Sequence, residues 1–311
     1  MNKNKCIKIA VINQKGGTGK SNSTLHLSGW LVKDYKKKLL LVDADPQSNI
    51  SETVLQENAI LYEENHSGSY FENIPTIVDV LNGTCDVNDA IHKALIKIRD
   101  RYDGKWRGID VLPTTEALSA IKFDDDFEIR DIFSSICRTK KRAYNYDFIL
   151  CDCPPTLSDL TINVLAACDY VLVPASPDMD SLKGFSKLVD TIKGLQNERI
   201  KNGFTEKLDI LGVYMTIIKP SESFDNVVYR QSKKFIGDKF FDIAIRRDTT
   251  AKQSYSLGVP ICWYKQHSNA AKDYRLLTKS ILSRLNMLPE DEKAGLEYDI
   301  KEFITKYKLE D

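Results

Sequence analysis

The segment Lys15-Gly16-Gly17-Thr18-Gly19-Lys20-Ser21 constrains this chain more than any other. It directly follows a short apolar run, Cys6–Ile12, and opens a stretch, Ser21–Lys33, with helical patterning. A strand that turns through glycines into a helix aims several backbone N–H groups at one point, and the helix N-terminus adds partial positive charge there. That cradle suits a chain of phosphates. Gly16, Gly17, Thr18 and Gly19 supply the turn, Lys20 reaches the β- and γ-phosphates, Ser21 Oγ ligates Mg²⁺, and Asn22 follows in the first helical turn. The usual P-loop pattern has Gly where this chain has Gln14, and a second lysine, Lys15, precedes the paired glycines.

Two more apolar runs end in carboxylates. Lys38–Asp43 leads into Asp43-Ala44-Asp45-Pro46-Gln47, and Phe148–Cys151 leads into Asp152-Cys153-Pro154-Pro155. In a parallel α/β sheet the C-terminal strand edge is the ligand edge, and an apolar strand ending in Asp matches the Walker B arrangement around Mg²⁺. Further candidate strands are Ile109–Leu112, Tyr170–Pro174, Leu208–Met215 and Phe240–Ile243. Several are apolar on both faces, which belongs to a sheet covered on both sides. Thr161–Ala167, Leu182–Gln196 and Asn269–Leu285 read as helices. The expected fold class is α/β, a mostly parallel twisted sheet with helices on both faces. One P-loop domain is expected over residues 1–288, with surface insertions near 56–75 and 97–107 and an acidic helical tail over 289–311.

Composition narrows the setting. The chain has 311 residues with 44 Lys+Arg against 44 Asp+Glu, so it carries no polybasic coat. Its longest apolar runs fall far short of the roughly 20 residues that span a bilayer, and its N-terminus lacks a secretory pattern; a cytoplasmic location is expected. Seven cysteines without a CxxC pair do not form a disulfide framework. Cys151 and Cys153 read as buried small apolar side chains rather than metal ligands.

With these segments in place the sequence resembles the ParA/MinD group of deviant Walker P-loop ATPases, and within it the small Soj-like ParA DNA-partition proteins. NQKGGTGKS, LLLVDADPQSN, the Leu112-Pro113 pair, YDFILCDCPPTLSDLTINVLAACDYVLVPASPD, LKGFSKLV and SLGVPI occur in the family's order over about residues 6–285. The resemblance implies ATP and Mg²⁺ as cofactors and an ATP-sandwiched homodimer. In that dimer Lys15 is the signature lysine that reaches the partner's nucleotide. It implies that Asp45 positions the attacking water beside the metal, that Ser21 ligates Mg²⁺, and that Asp152 and Asp43 support the metal site. It further implies a nucleoid-associated partition ATPase that binds duplex DNA nonspecifically and is stimulated by a ParB-like centromere-binding partner. The alternatives are a MinD-like regulator at the membrane and a ParA-like positioning ATPase for protein cargo. The family's late Ile-Pro-Arg-Asn segment appears as Ile245-Arg246-Arg247-Asp248, a departure near the expected adenine contacts.

Charge is uneven along the chain. Residues 219–284 carry thirteen Lys+Arg against six acids, a net +7 that suits a face contacting phosphates without reading bases. Arg230, Lys233 and Lys234, and Arg275 and Lys279, are the candidate DNA contacts. From Glu290 to Asp311 eight acids stand against four lysines. Leu296, Ile300, Phe303, Ile304 and Tyr307 fall on one face of that segment. Its sign is wrong for anionic lipid, so no membrane contact is expected; a helix docked on protein is.

Overall fold

The computed structural model describes residues 6–94, 108–123, 128–138, 145–201, 203 and 208–310. One eight-stranded sheet organises them. Its strands are β1 (Ile7–Val11), β2 (Leu39–Asp43), β3 (His92–Lys93), β4 (Asp110–Leu112), β5 (Phe148–Asp152), β6 (Tyr170–Ala175), β7 (Asp209–Ile218) and β8 (Phe240–Arg246). They lie in the order β3-β4-β2-β5-β1-β6-β7-β8, and every pairing is parallel except β3 with β4. This is the α/β architecture the apolar runs require.

The pleat sends alternate residues to opposite faces, and each face has its own core. Ala10 and Ile12 join Leu40, Val42, Ile149 and Cys151 on one face. Ile9 and Val11 join Leu39, Leu41, Phe148 and Leu150 on the other. On the second face lie α1 (Lys20–Lys33), α2 (Asn49–Glu63) and α11 (Asn269–Arg284), which contribute Leu25, Val54 and Leu277. On the first lie α5 (Glu128–Arg138), α6 (Asp159–Ala167), α7 (Met179–Lys201) and α8 (Ser223–Ile236), contributing Phe133, Val164, Leu188 and Tyr229. The remaining helices are the short α3 (Tyr70–Asn73), α4 (Ile77–Leu81), α9 (Thr249–Ser256) and α10 (Ile261–Tyr264), and the terminal α12 (Glu290–Tyr307).

Strand β8 is the last in the sheet order, an edge of the kind that proteins cover. Helix α12 supplies the cover. Leu296 is buried in the core of one sheet face, and Phe303 and Leu309 in that of the other, so the helix crosses the edge between them. Arg284 adds polar closure, donating from Nη1 to the carbonyls of Leu211 at 2.9 Å and Lys239 at 3.0 Å.

The stretch read as a surface insertion near 56–75 holds regular structure. Residues 56–63 are the polar half of α2, whose buried half holds Ile50, Val54 and Leu55 at helical spacing, and residues 70–73 form α3. The insertion expected at 97–107 lies outside the described residues. Among the described residues, no helix is long and apolar enough to cross a membrane.

Candidate nucleotide site

The register of the sheet assembles the site. Asp43 of β2 and Asp152 of β5 are direct register partners, and Val11, the last residue of β1, pairs with Asp152 on its other side. Thus the P-loop after β1 and both strand-end carboxylates meet at one edge. Gly17 and Gly19 take φ of +75° and +79°, the left-handed region that favours glycine, and an added Cβ at either would meet no atom within 4 Å. The cradle is therefore open, and Gly19 is the N-cap of α1.

Hydrogen bonds fix the loop from outside. Asn13 Nδ2 donates to the Pro174 carbonyl at 2.7 Å, and Asn13 Oδ1 accepts from the Lys15 N–H at 2.9 Å. Thr216 Oγ1 sits 2.8 Å from the Thr18 carbonyl and 3.2 Å from that of Ala175, tying the loop to β6 and β7. Lys20 is buried, and Ser21 and Asn22 are partly exposed at the start of α1.

The three carboxylates differ. Asp43 is fully buried and spent on internal bonds: Oδ2 accepts from Ser51 N–H at 2.9 Å and Ser51 Oγ at 2.7 Å, and Oδ1 from Asp45 N–H at 3.1 Å. Burial nonetheless pushes its carboxyl up to about 6. Asp152 is pushed up to about 8, first by burial and then by the Asp43 charge, against the Ser21 hydroxyl and the Lys20 ammonium, which favour its ionised form. Its Oδ1 is buried without a hydrogen-bond partner. Asp45 is partly exposed, and its Oδ1 accepts the Gln47 N–H at 3.0 Å.

An orphaned carboxylate oxygen beside a hydroxyl, with a second buried acid one strand away, is a donor set that a hard divalent cation satisfies. Among the described residues no three His, Cys, Asp or Glu side chains form a metal cage by themselves. Mg²⁺ takes one or two protein oxygens and completes its shell with water and phosphate. Cys151 and Cys153 are buried in the core of one sheet face, with Cys151 Sγ 3.8 Å from Cys168 Sγ.

A family described as AAA domain matches residues 6–208. The sporulation initiation inhibitor protein Soj of Bacillus subtilis is 30% identical over 277 residues, covering 88% of this chain and 97% of Soj. The chain belongs to the ParA/Soj family of P-loop ATPases. The chromosome partitioning protein ParA of Caulobacter vibrioides is 29% identical, over 89% of this chain and 94% of its own length. Among solved structures, a putative plasmid partition protein of Borrelia burgdorferi, bound to AMPPNP, superposes with a TM-score of 0.66 at 19% identity, covering 91% and 99% of the two chains.

In this ParA-family chain the structure gathers Lys15, Gly16, Gly17, Thr18, Gly19, Lys20, Ser21, Asn22, Asp45 and Asp152 at one sheet edge. It also shows partners the motifs did not reveal. Lys15 Nζ is 2.8 Å from Asp178 Oδ2, and Ser51, which holds Asp43, lies eight residues downstream with no motif to mark it. Arg246, at the position of the family's late segment, is bound to Asp273 at 2.6 Å and faces the ring of Tyr307 in α12. The basic stretch 219–284 does not form one face. Arg230, Lys233 and Lys234 lie on α8, whose Val228 and Tyr229 join one core, while Arg275 and Lys279 lie on α11, packed on the other. The chain passes through β8 between them and so switches sheet faces.

Proposed function

We propose that this chain is an ATP- and Mg²⁺-dependent DNA-segregation switch: two subunits close on their nucleotides, the closed dimer holds duplex DNA nonspecifically, and slow hydrolysis to ADP and phosphate resets it. The observation that carries the reading is the meeting of the open P-loop with the orphaned Asp152 oxygen beside Ser21. In this reading Gly16–Gly19 and Lys20 hold the phosphates, and Ser21 with Asp152 and Asp45 holds Mg²⁺ directly or through water. Bound there, Mg²⁺ neutralises phosphate oxygens. Asp45, more exposed than its two neighbours, orients the attacking water. Lys15 offers the partner's nucleotide a cation in trans, which stabilises charge that grows during phosphoryl transfer. A ParB-like DNA-binding partner that stimulates hydrolysis belongs to the same proposal, as does association with the nucleoid. The acidic charge of α12 disfavours a membrane-surface role.

Fluorescent-nucleotide titration with Mg²⁺ tests the site. Lys20→Ala is expected to lose ATP binding and turnover, because the phosphate charge is left uncompensated. Lys15→Ala is expected to bind ATP yet dimerise and hydrolyse poorly. Unchanged affinity in Lys20→Ala would remove the P-loop assignment.

A further inference from the structure

The covered edge at β8 holds a feature the nucleotide site does not use. Where α12 passes α11 it leaves a groove of about 290 Å³. Lys272, Arg275 and Lys279 recur at i, i+3 and i+7 along α11 and line one wall, with Arg275 Nε bound to Asp34 Oδ2 at 2.7 Å, and Lys306 of α12 lines another beside Asp299 and Glu302. Residues at that spacing share one helix face. A row of cations beside a groove is the form that engages a phosphate backbone without reading bases.

The groove is not electrostatically open. Lys279 Nζ lies 3.5 Å from Glu292 Oε2 and 3.5 Å from Asp299 Oδ2, both on α12. Some lysine–carboxylate pairs among the described residues are tighter, at 2.8 Å for Lys233–Asp242 and 2.6 Å for Lys201–Glu198, while Lys8–Asp169 stands at the same 3.5 Å. Lys279 is therefore shared between two carboxylates rather than locked to one by a short charge-assisted bond. Glu292 is itself steadied by the Tyr35 hydroxyl, which donates to it at 3.1 Å. Beyond the far end of α12, the Glu310 carbonyl accepts from Arg230 Nη1 at 3.3 Å. The acidic segment thus reaches both basic helices, while its attachment rests on Leu296, Phe303 and Leu309.

We propose, resting on the DNA reading above, that the α11–α12 groove is a contact surface for the phosphate backbone of duplex DNA, restrained in cis by the Glu292 and Asp299 carboxylates. A phosphate that engages Lys279 must displace two negative charges already beside it, so the gain from counterion release is reduced at that position. Because the apolar anchors of α12 are separate from its carboxylates, the restraint can be removed without removing the cover.

The test uses full-length protein with a non-hydrolysable ATP analogue and Mg²⁺, and measures anisotropy of an arbitrary labelled duplex at several salt concentrations. Glu292→Gln with Asp299→Asn is expected to bind DNA about 3- to 10-fold tighter at low salt, with a log–log salt slope steeper by about 0.9, as for one further phosphate contact. Adding Lys279→Gln should return affinity to the wild-type value. Asp291→Asn with Glu297→Gln makes the same change in net charge at exposed positions of α12, and should leave binding within about twofold. Circular dichroism and melting confirm that each variant keeps its fold. If wild type binds DNA and the groove variant binds no better, or if its gain survives Lys279→Gln, the restraint is overturned while the DNA reading stands. If no variant binds DNA although all dimerise with the analogue, the DNA reading and the restraint fall together.

Discussion

Lys15 Nζ stands 2.8 Å from Asp178 Oδ2, so the lysine proposed to serve a partner's nucleotide is tied within its own chain. Asp178 Oδ2 also accepts from Ser176 Oγ at 2.5 Å, which fixes the carboxylate just after β6. The two side chains are 39% and 30% exposed, so the pair is screened by solvent and worth on the order of 1 kcal/mol or less. That is enough to bias a lysine without trapping it. Asp178→Asn is expected to raise ATP-dependent dimerisation by about 2- to 5-fold, as sedimentation velocity would show. A fall in dimerisation would mean that Asp178 supports the engaged position of Lys15 instead.

Asp43 and Asp45 should separate cleanly. Asp43 accepts three hydrogen bonds in a fully buried site, and removing an acceptor from buried donors costs roughly 1–3 kcal/mol each, with partial relaxation. Asp43→Ala is therefore expected to lose about 3 kcal/mol of stability, read from chemical denaturation. Asp45 accepts one N–H at a partly exposed turn; its alanine variant should melt within a few degrees of wild type. Phosphate release by Asp45→Ala should drop at least 100-fold while ATP-bound dimer accumulates on sizing columns. A wholly monomeric Asp45→Ala would exclude its role on water.

Stability should fall in acid through His26. It is fully buried in α1, with Nε2 3.3 Å from the Ala251 carbonyl and Nδ1 accepting the Ile261 N–H at 3.3 Å. Burial lowers its pKa from 6.5 to about 4. The unfolded chain therefore takes up a proton near pH 6.5 that the folded chain refuses until about pH 4, so stability drops as pH falls through that window, by about 3 kcal/mol at pH 4. Asp43 and Asp152 act with the opposite sign: their raised folded pKa values favour the fold at low pH and lose that contribution as pH rises through about 6 and 8. The isolating measurement is the wild-type minus His26→Gln difference in unfolding free energy, which should shrink from pH 7 to pH 4.5.

The gathering of the glycine turn and the strand-end carboxylates at one sheet edge was legible because strand, glycine turn and helix are contiguous in sequence, and because strands apolar on both faces announce a covered sheet. β3 was not: His92 and Lys93 are polar, and only antiparallel pairing with Val111 and Asp110 makes them a strand. α2 was not legible because its apolar positions cluster at Ile50–Leu55, too short a run to announce a helix, and leave Gln56–Glu63 looking like a surface insertion. The amphipathic face of α12 could be read, but not that it spans the β8 edge, since burial against two cores depends on contacts remote in sequence. For the same reason a +7 stretch of chain did not translate into one basic face. Asp178, which holds Lys15, sits inside a recognised motif, yet nothing in its spacing pairs it with a residue 163 positions earlier.

The α8 cations should contribute unequally to DNA binding. Lys233 Nζ is paired with Asp242 Oδ1 of β8 at 2.8 Å, whereas Lys234 is exposed near the C-terminal end of the same helix. A paired cation must surrender its carboxylate before it neutralises a phosphate, so it releases less counterion on binding. Lys234→Gln is expected to weaken ATP-dependent binding to arbitrary duplex DNA several-fold at low salt and to flatten the log–log salt slope by about 0.9. Lys233→Gln should change both by less than half as much. Neutral substitutions serve better here than charge reversal, because a glutamate at position 233 would face Asp242 and disturb the β8 edge. Anisotropy at four salt concentrations, with dimerisation confirmed for each variant, resolves the two slopes; equal slopes would mean that the Lys233–Asp242 pair opens freely on DNA.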